Sequence, residues 1–545
     1  MVIMAGGIIQ LAAYGVQDLY LTGDPQITFF KAVHRRHTNF AIESVPQYFS
    51  SRADFGSSTS CTITRAGDLA SRVFVYVEIP SIPRFTDPLT SLDDTHRLTA
   101  WARHLGFALI QEASIEIGGR RIDKQYGEWL YIWSQLSQTS PEAINKLTGN
   151  TPALTLLTNG KPGYQLCIPL QFWFCRHTGL AIPLVALAAS DVKITISFRP
   201  LTDCIITAPT HSISILEDAV PFEQGDYIEQ TIKGQTIRGY VIDYDYINKR
   251  LYYNKLGGVS ASKQAFKAYQ TDDTHAYPVR GSTLSASLTV PGALYPLSLA
   301  PLQPLHLDLH IDTVSNRPYR IYKTGSNAYA TPQPNTIEVI EARSLPLLQL
   351  TNAYLLVDYI YLDAEERKKF STVNHEYLIE QLQLITASGL TSPNAKINLT
   401  FNHPCKALYW TAQLEHDTGP NSLNEWFKYT TSSPGSTSSL TLAARLSLNG
   451  RDRFSTRTYE YFNWYQPYVH HARGPALGIN MYSFSLYPSN LQPSAALNMT
   501  LIDQASLLLK LSPSISTTNT ARVRVYALSY NILRVACSMG GVAFA

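Results

Sequence analysis

Charge is scarce in this 545-residue chain: Asp, Glu, Lys and Arg together make up 16%, well under the roughly 25% usual in soluble domains. A surface so poor in charge implies that much of it is covered by neighbours. Neither sign is in excess, since 44 Lys and Arg stand against 41 Asp and Glu. A protein that coats nucleic acid carries a far stronger basic surplus, because phosphate neutralisation dominates such binding. No direct nucleic-acid partner is expected. The densest basic stretch, Lys31, His34, Arg35, Arg36 and His37, reads as a solvated strand end.

Cysteine is thin as well. The six residues Cys61, Cys167, Cys175, Cys204, Cys405 and Cys537 are scattered, without a C-x-x-C pair, which excludes a zinc framework and a disulfide scaffold and fits a reducing compartment. Long apolar runs are missing. The nearest approach to the roughly 18 residues of a membrane span is 180–189, and Pro183 interrupts it. Residues 1–7 lack the basic and apolar regions of a signal peptide, and Val2 departs from the myristoylation pattern. The chain reads as cytosolic in origin, and soluble or assembled.

Catalytic signatures are absent too. There is no G-x-S-x-G elbow, P-loop or G-x-G-x-x-G, and no catalytic residue or cofactor is expected. His470 and His471 with His403 and Cys405 are the candidates for a metal cluster. Adjacent histidines on a strand point to opposite faces, and no Cys/His pair has finger spacing, so a structural role is expected. Asp93–Asp94 and Glu365–Glu366 are carboxylate pairs, but sequence neighbours do not set a separation across a cleft. Residues 365–369 read as a solvated charge run between domains. Asn398 and Asn498 head formal N-glycosylation sequons; both lie in or beside strand-like segments, and chance occurrence is favoured.

What the chain has is Tyr (33 residues), Pro (31) and Gly (30), a mixture suited to strands joined by loops. Residues 72–79 (RVFVYVEI) and 522–526 (RVRVY) have strand character. Residues 114–123 (SIEIGGRRID) predict a hairpin about Gly118-Gly119. Helices are few. Trp129, Leu130, Ile132, Trp133 and Leu136 fall at helical spacing, and Ser140-Pro141 reads as an N-cap followed by Pro at the first helical position.

These segments recur in order. The GGRRID hairpin (118–123) returns as NGRDRF (449–454), an offset of 331, and VFVY (73–76) as ALYW (407–410), an offset of 334. CIPLQFWF (167–174) pairs with INMYSFSL (479–486), and DVKITISF (191–198) with QASLLLKL (504–511), at offsets of 312 and 313. AYLLVDYI (353–360) pairs with RVRVYALS (522–529) at only 169. The drop from 313 to 169 places an insertion of about 144 residues between 199 and 352. Two β-sandwiches in tandem follow, the first with a large excursion. The excursion is rich in Pro, Ser, Thr and Tyr, for example Tyr295, Pro296, Pro301, Pro304 and TPQP (331–334), which favours surface loops or small extra sheets over a separate core. A second loop-like stretch spans 417–439 and includes the Ser-rich 430–439.

Several segments resemble the major capsid proteins of the nucleocytoplasmic large DNA viruses, the iridovirus, phycodnavirus and giant-virus type. They are GGIIQLAAYGVQDLYLTGDPQITFFK (6–31), RRHTNFAIE (35–43), residues 354–370 with YLDAEER (361–367), HEYLIEQLQ (375–383), FNHPCK (401–406), LNGRDRF (448–454), YFNWYQPY (461–468) and GINMYSF (478–484). The resemblance covers most of 5–200 and 350–540, and the combination in this order is specific. It implies an all-β fold of two tandem eight-stranded jelly rolls: an inner arm over 1–24, a first roll over 25–370 that includes a 201–349 outer tower, and a second roll over 371–545. The turn 22–25 would release the chain into the first strand. The implied function is the major structural protein of an icosahedral shell, self-assembling as homotrimers of pseudo-hexagonal outline, with several thousand Å² buried between copies. Minor capsid proteins and an inner viral membrane would lie near the arm. Assembly would take place at viral factories in the host cytoplasm. Gly6, Gly7, Leu11, Tyr14, Asp18, Tyr20, Arg35 and Arg36 are the candidate partner-binding residues. A minor or vertex-associated capsomer and, in another class, a carbohydrate-binding or hydrolytic β-sandwich protein are the rival readings.

Overall fold

A computed structural model of the chain describes residues 6–86, 93–94, 97–137, 140–232, 235–256, 266, 269–270, 317–318, 320–333, 338–340, 347–418, 424–431, 438–517 and 519–544. Segments with a period of two form antiparallel ladders. The first roll consists of β1 (Phe40–Tyr48), β2 (Ser58–Thr62), β3 (Leu69–Ile79), β4 (Ile110–Ile117), β5 (Arg120–Tyr126), β6 (Tyr164–Pro169), β7 (Val192–Phe198) and β8 (Asn352–Leu362). Its two facing sheets run β1-β8-β3-β6, with the short strand Ile182–Pro183 added beside β3, and β2-β7-β4-β5. Along β3, Val73, Val75, Val77 and Ile79 are buried while Phe74, Tyr76 and Glu78 point the other way, as a two-faced strand requires.

The second roll repeats this plan with β9 (His375–Leu390), β10 (Asn394–Leu399), β11 (Pro404–Leu414), β12 (Thr441–Leu448), β13 (Arg451–Thr458), β14 (Asn480–Ser483), β15 (Ala505–Leu511) and β16 (Ala521–Ala536). Its sheets run β9-β16-β11-β14 and β10-β15-β12-β13, so each strand stands where the one numbered eight lower stands in the first roll. The fold is a double jelly roll. All five segment pairs read from the sequence fall on matching strands. The two hairpin turns use the same backbone: Gly118 and Gly119 have φ of 59° and 78°, Asn449 and Gly450 47° and 78°, as a two-residue turn of type I′ demands.

The register of two of those pairs needs correction. Val73 belongs to the interior of its own roll, but Ala407, its match at an offset of 334, lies on the opposite face from Leu408 and Trp410. The inward-facing partners Leu355–Val75 correspond instead to Val525–Trp410, one position further on, and the pairs Val75–Ile168 and Trp410–Asn480 agree with that. A slip of one residue exchanges the two faces of a strand.

Helices are short. The spacing at Trp129–Leu136 gives α2 (Gly127–Ser137), following α1 (Gly6–Ala12) in the arm. α3 (Pro141–Leu147) starts with Pro at its first turn as expected, although the Ser140 side chain caps nothing. The charge run 365–369 lies within α4 (Ala364–Thr372), capped by Asp363, whose Oδ1 accepts from the backbone N–H groups of Glu365 and Glu366. Arg367 grips Asp68 with two hydrogen bonds (2.8 and 3.0 Å).

The turn at 22–25 does not lead straight into a strand. β1 begins only at Phe40, opposite Leu362, where β8 ends. With no ladder partner beyond Leu362, and five basic or His side chains between 31 and 37, residues 25–39 stay irregular and exposed.

The excursion between β7 and β8 holds more than loops. Its strands Tyr329–Ala330, Ile321–Lys323, Tyr227–Ile232, Gln235–Asp245, Arg250–Leu256, His211–Ser214 and Val339–Ile340 make one seven-stranded antiparallel sheet in that order. Ile213, Phe222, Ile228, Ile237, Val241, Leu251, Tyr253 and Ile321 give it a small core of its own, contrary to the expectation from composition. The Pro-rich composition lies largely elsewhere: Tyr295, Pro296, Pro301, Pro304 and Pro334 fall outside the described residues, as do 419–423 and 432–437 of the second loop. Both feet of the excursion are held by the turn at 52–57. The Gly56 N–H donates to the Arg199 carbonyl (2.9 Å), and Asp54 accepts from the Leu350 N–H (3.0 Å).

Candidate assembly surfaces

The two rolls are joined by charge largely shielded from water. α2 lies against the outer face of the β9-β16-β11 part of the second roll, with Trp129 5.2 Å from Tyr409 and 5.6 Å from Tyr526 between ring centres. Beside it Glu128 enters the seam and accepts four hydrogen bonds, from Thr411 (3.2 Å), Tyr429 (2.8 Å), Arg524 (2.5 Å) and Tyr526 (2.6 Å). Burial alone would raise its pKa, but the Arg524 charge and the hydroxyl donors hold it below the usual glutamate value. A buried carboxylate fully supplied with donors stays ionised and fixes one geometry.

Three further contacts extend the joint. Glu380 binds Arg176 (2.6 Å) and Lys406 (2.5 Å) together. Asp123 accepts from the Leu382 N–H (3.0 Å), and burial pushes its pKa up to about 6. Trp426 donates to the Asp203 carbonyl (2.7 Å) beneath the Arg199 guanidinium, 3.8 Å from the ring centre. Residues of both rolls consequently share one apolar cluster, from Val75 and Trp129 through to Tyr409 and Tyr526.

Other surfaces are left without cover. None of residues 8–39 is buried. Leu11 (82% exposed), Tyr14 and Tyr20 (92%) project into solvent together with Phe29, Phe30 and Val33. Asp18 is tied locally, accepting from the Gly15 N–H (2.7 Å), and Arg35 and Arg36 are exposed. Gly6 and Gly7 open α1. A second apolar surface is the outer face of β1, β8 and β3, where Tyr76 and Tyr354 stack at 4.6 Å beside Tyr48. A third is the π-helix Tyr461–Tyr465 and the α-helix Gln466–His470 that continues it. Its exposed Trp464, Tyr465 and Tyr468 border a groove of about 780 Å³ that Glu460 and Arg473 also line.

The histidines imagined as metal ligands are not gathered. His470 and His471 end a helix rather than sharing a strand. His470 pairs with the Leu486 carbonyl and His471 with the Tyr409 hydroxyl, and burial lowers the His471 pKa to about 3. Among the described residues no group of three or more His, Cys, Asp or Glu is placed to hold a metal ion. Asp93 and Asp94 are paired with Arg84 and Arg97. Asn398 and Asn498 are both exposed, on β10 and on the short strand Leu497–Asn498. Sequence reading missed Glu128. Its signal was an acid at the start of an otherwise apolar helix, in a segment GEWLYIW that recurs after β13 as YEYFNWY.

The acids Glu128, Glu380 and Asp123 bridge the two jelly rolls, and the uncovered surfaces described above are rich in apolar and aromatic side chains. That division belongs to a structural shell protein rather than to a site for a small molecule. Comparison with known proteins agrees. The family model described as the N-terminus of the major capsid protein matches residues 28–247, and that of the large eukaryotic DNA virus major capsid protein matches 366–541. The chain is 47% identical to "Probable capsid protein 4" of Acanthamoeba polyphaga mimivirus, over 99% of both chains. It is 31% identical to the major capsid protein of Phaeocystis pouchetii virus, over 99% of this chain and 100% of that one. The fold matches the chain of the PBCV-1 virus capsid with a TM-score of 0.58 at 24% identity, covering 95% of this chain and 100% of that chain. The chain belongs to the family of large eukaryotic DNA virus major capsid proteins, and its role is structural, in the capsid of a virion.

Proposed function

We propose that this chain tiles an icosahedral shell as a homotrimer. Three copies present six similar rolls, so a block with threefold symmetry has a pseudo-hexagonal outline and packs in flat sheets. The observation that carries this is the strand-for-strand equivalence of β1–β8 and β9–β16 within one polypeptide. The domains are an arm over 1–24, a first roll over 25–370 with the 201–349 excursion turned outward, and a second roll over 371–545. Leu11, Tyr14 and Tyr20, with Gly6, Gly7, Asp18, Arg35 and Arg36 around them, form the inward-facing contact with minor capsid proteins and the inner membrane; exposed apolar side chains in a segment without cover of its own support that assignment. Nucleic acid is not a direct partner, and assembly takes place at viral factories in the host cytoplasm. The chain has no catalytic role. Light scattering on the purified protein tests the trimer: the expected mass is three times 60.7 kDa, with hexagonal particles in negative stain, and a stable single-copy species refutes it.

A further inference from the structure

The joint inside the chain has a second, unfilled half. The segment that follows β5 and the one that follows β13 align residue for residue as Gly127-to-Leu136 (GEWLYIWSQL) and Tyr459-to-Tyr468 (YEYFNWYQPY). Glu128 and Glu460 are each the second residue after the preceding strand. Leu130 and Phe462, two positions later, are both buried in the protein. Trp129 and Trp133 correspond to Tyr461 and Tyr465, which stack at 5.3 Å.

Burial then parts the two copies. Ile132, Trp133 and Leu136 are buried, at 0–5% exposure, with Trp133 5.9 Å from His471 of the second roll, but their counterparts Trp464, Tyr465 and Tyr468 are 57–86% exposed. Glu128 has four donors, whereas the Glu460 Oε2 is buried with no hydrogen-bond partner among the described residues. A shielded carboxylate oxygen beside uncovered aromatics lacks what its twin has.

The surface that would supply it is present on the first roll. With the register fixed above, the positions of Thr411 and Arg524, which bind Glu128, are taken in the first roll by Tyr76 and Tyr354, directly opposite each other. The positions of Tyr409 and Tyr526, on which Trp129 rests, are taken by Phe74 and Leu356. All four are only half-buried in the single chain. Nearby Glu78 is already engaged by Tyr76 and Gln165 (3.2 Å each).

The geometry points to a second copy of this chain as the occupant: residues 460–468 dock on the outer face of β8 and β3 of the neighbouring subunit. Tyr461 and Tyr465 rest on its Phe74 and Leu356, and Glu460 accepts from the hydroxyl of its Tyr354. The contact between subunits thereby repeats the contact within each subunit. Such a head-to-tail contact closes into a ring when its rotation allows. The inference rests on the trimer reading and adds the residues that hold the trimer together.

The test compares the full-length protein with Trp464→Ser/Tyr468→Ser, Glu460→Lys and, on the receiving face, Leu356→Lys/Tyr354→Ala. Near-ultraviolet circular dichroism reports folding of each, and Trp464 and Tyr468 are exposed enough for their replacement to spare the fold. Light scattering across a dilution series is expected to show trimers at least about 30-fold easier to dissociate in variants of either side, the loss typical of a central aromatic contact. Hydroxyl-radical footprinting of the wild-type trimer is expected to show Trp464, Tyr468 and Tyr354 protected. A wild-type trimer in which those residues stay reactive, or variants that remain trimeric at wild-type dilution, overturns this contact and leaves the trimer standing. Protection lost on deleting residues 6–37 would assign the groove to the arm and also overturn it. A wild-type protein that never leaves the single-copy state removes the trimer itself.

Discussion

Glu128 and Arg524 are separated by 396 positions in sequence and by 2.5 Å in space. Replacing the glutamate with alanine leaves a buried guanidinium and two tyrosine hydroxyls without their acceptor. Breaking a buried pair on one side costs about 3–5 kcal/mol, so Glu128→Ala is expected to lose that much in urea denaturation. The joint also has a pH signature. The folded pKa of Glu128 is depressed, so its contribution is present above its unfolded value near 4.5 and disappears as pH falls through the folded one. Asp123 behaves in the opposite sense. Its pKa rises from 3.8 to about 6, so its contribution is complete below pH 3.8 and is lost as pH rises through 6. Asp123→Asn is expected to make the fall in stability between those two pH values shallower than in the wild type, measured by denaturation at each. Neither role was legible in the sequence. An acid opening an otherwise apolar helix marks Glu128 as unusual, but only the fold brings its distant partner to it.

At the scale of strands and turns the sequence was far more informative, because alternation of β-branched and polar residues is a local property. The hairpin at Gly118-Gly119 and the five-segment repeat follow from it and from turn residues. The helix at Trp129 follows from its own spacing, and the count of eight strands in each roll came only from the family resemblance. Register did not follow from alternation. Every residue of β11 beyond Pro404 is buried, so alternation is silent there. Bulges between Val357 and Tyr359 and between Cys405 and Ala407 also shift the pairing. The excursion's core was hidden for another reason: its Pro-rich portions dominate the composition, while strands such as Arg250–Leu256 carry the core. The turns themselves can be tested. Gly450 has a φ of 78° and nothing within 4 Å of a Cβ built on it, so any penalty there is backbone strain alone. Gly450→Val is expected to cost about 1–2 kcal/mol, read as a lower midpoint in urea, and Gly119→Val, in an equally open position, about the same.

For the whole molecule, the arm and the rolls are energetically separate. Since nothing in 8–39 is buried, a chain lacking residues 6–37 is expected to keep the thermal midpoint of the full chain within error. The same chain is expected to lose sedimentation with anionic vesicles and with shell-lining proteins, measured side by side with the full-length protein. The excursion has a different relation to the body. It leaves from Arg199 and returns at Leu350, and the single short turn at 52–57 clasps both points. Chain growth between two clasped points costs little, because closure entropy rises only with the logarithm of length. The excursion is therefore modular: about 150 residues can lengthen, shrink or be exchanged wholesale for foreign sequence, while the two rolls underneath keep the same footprint.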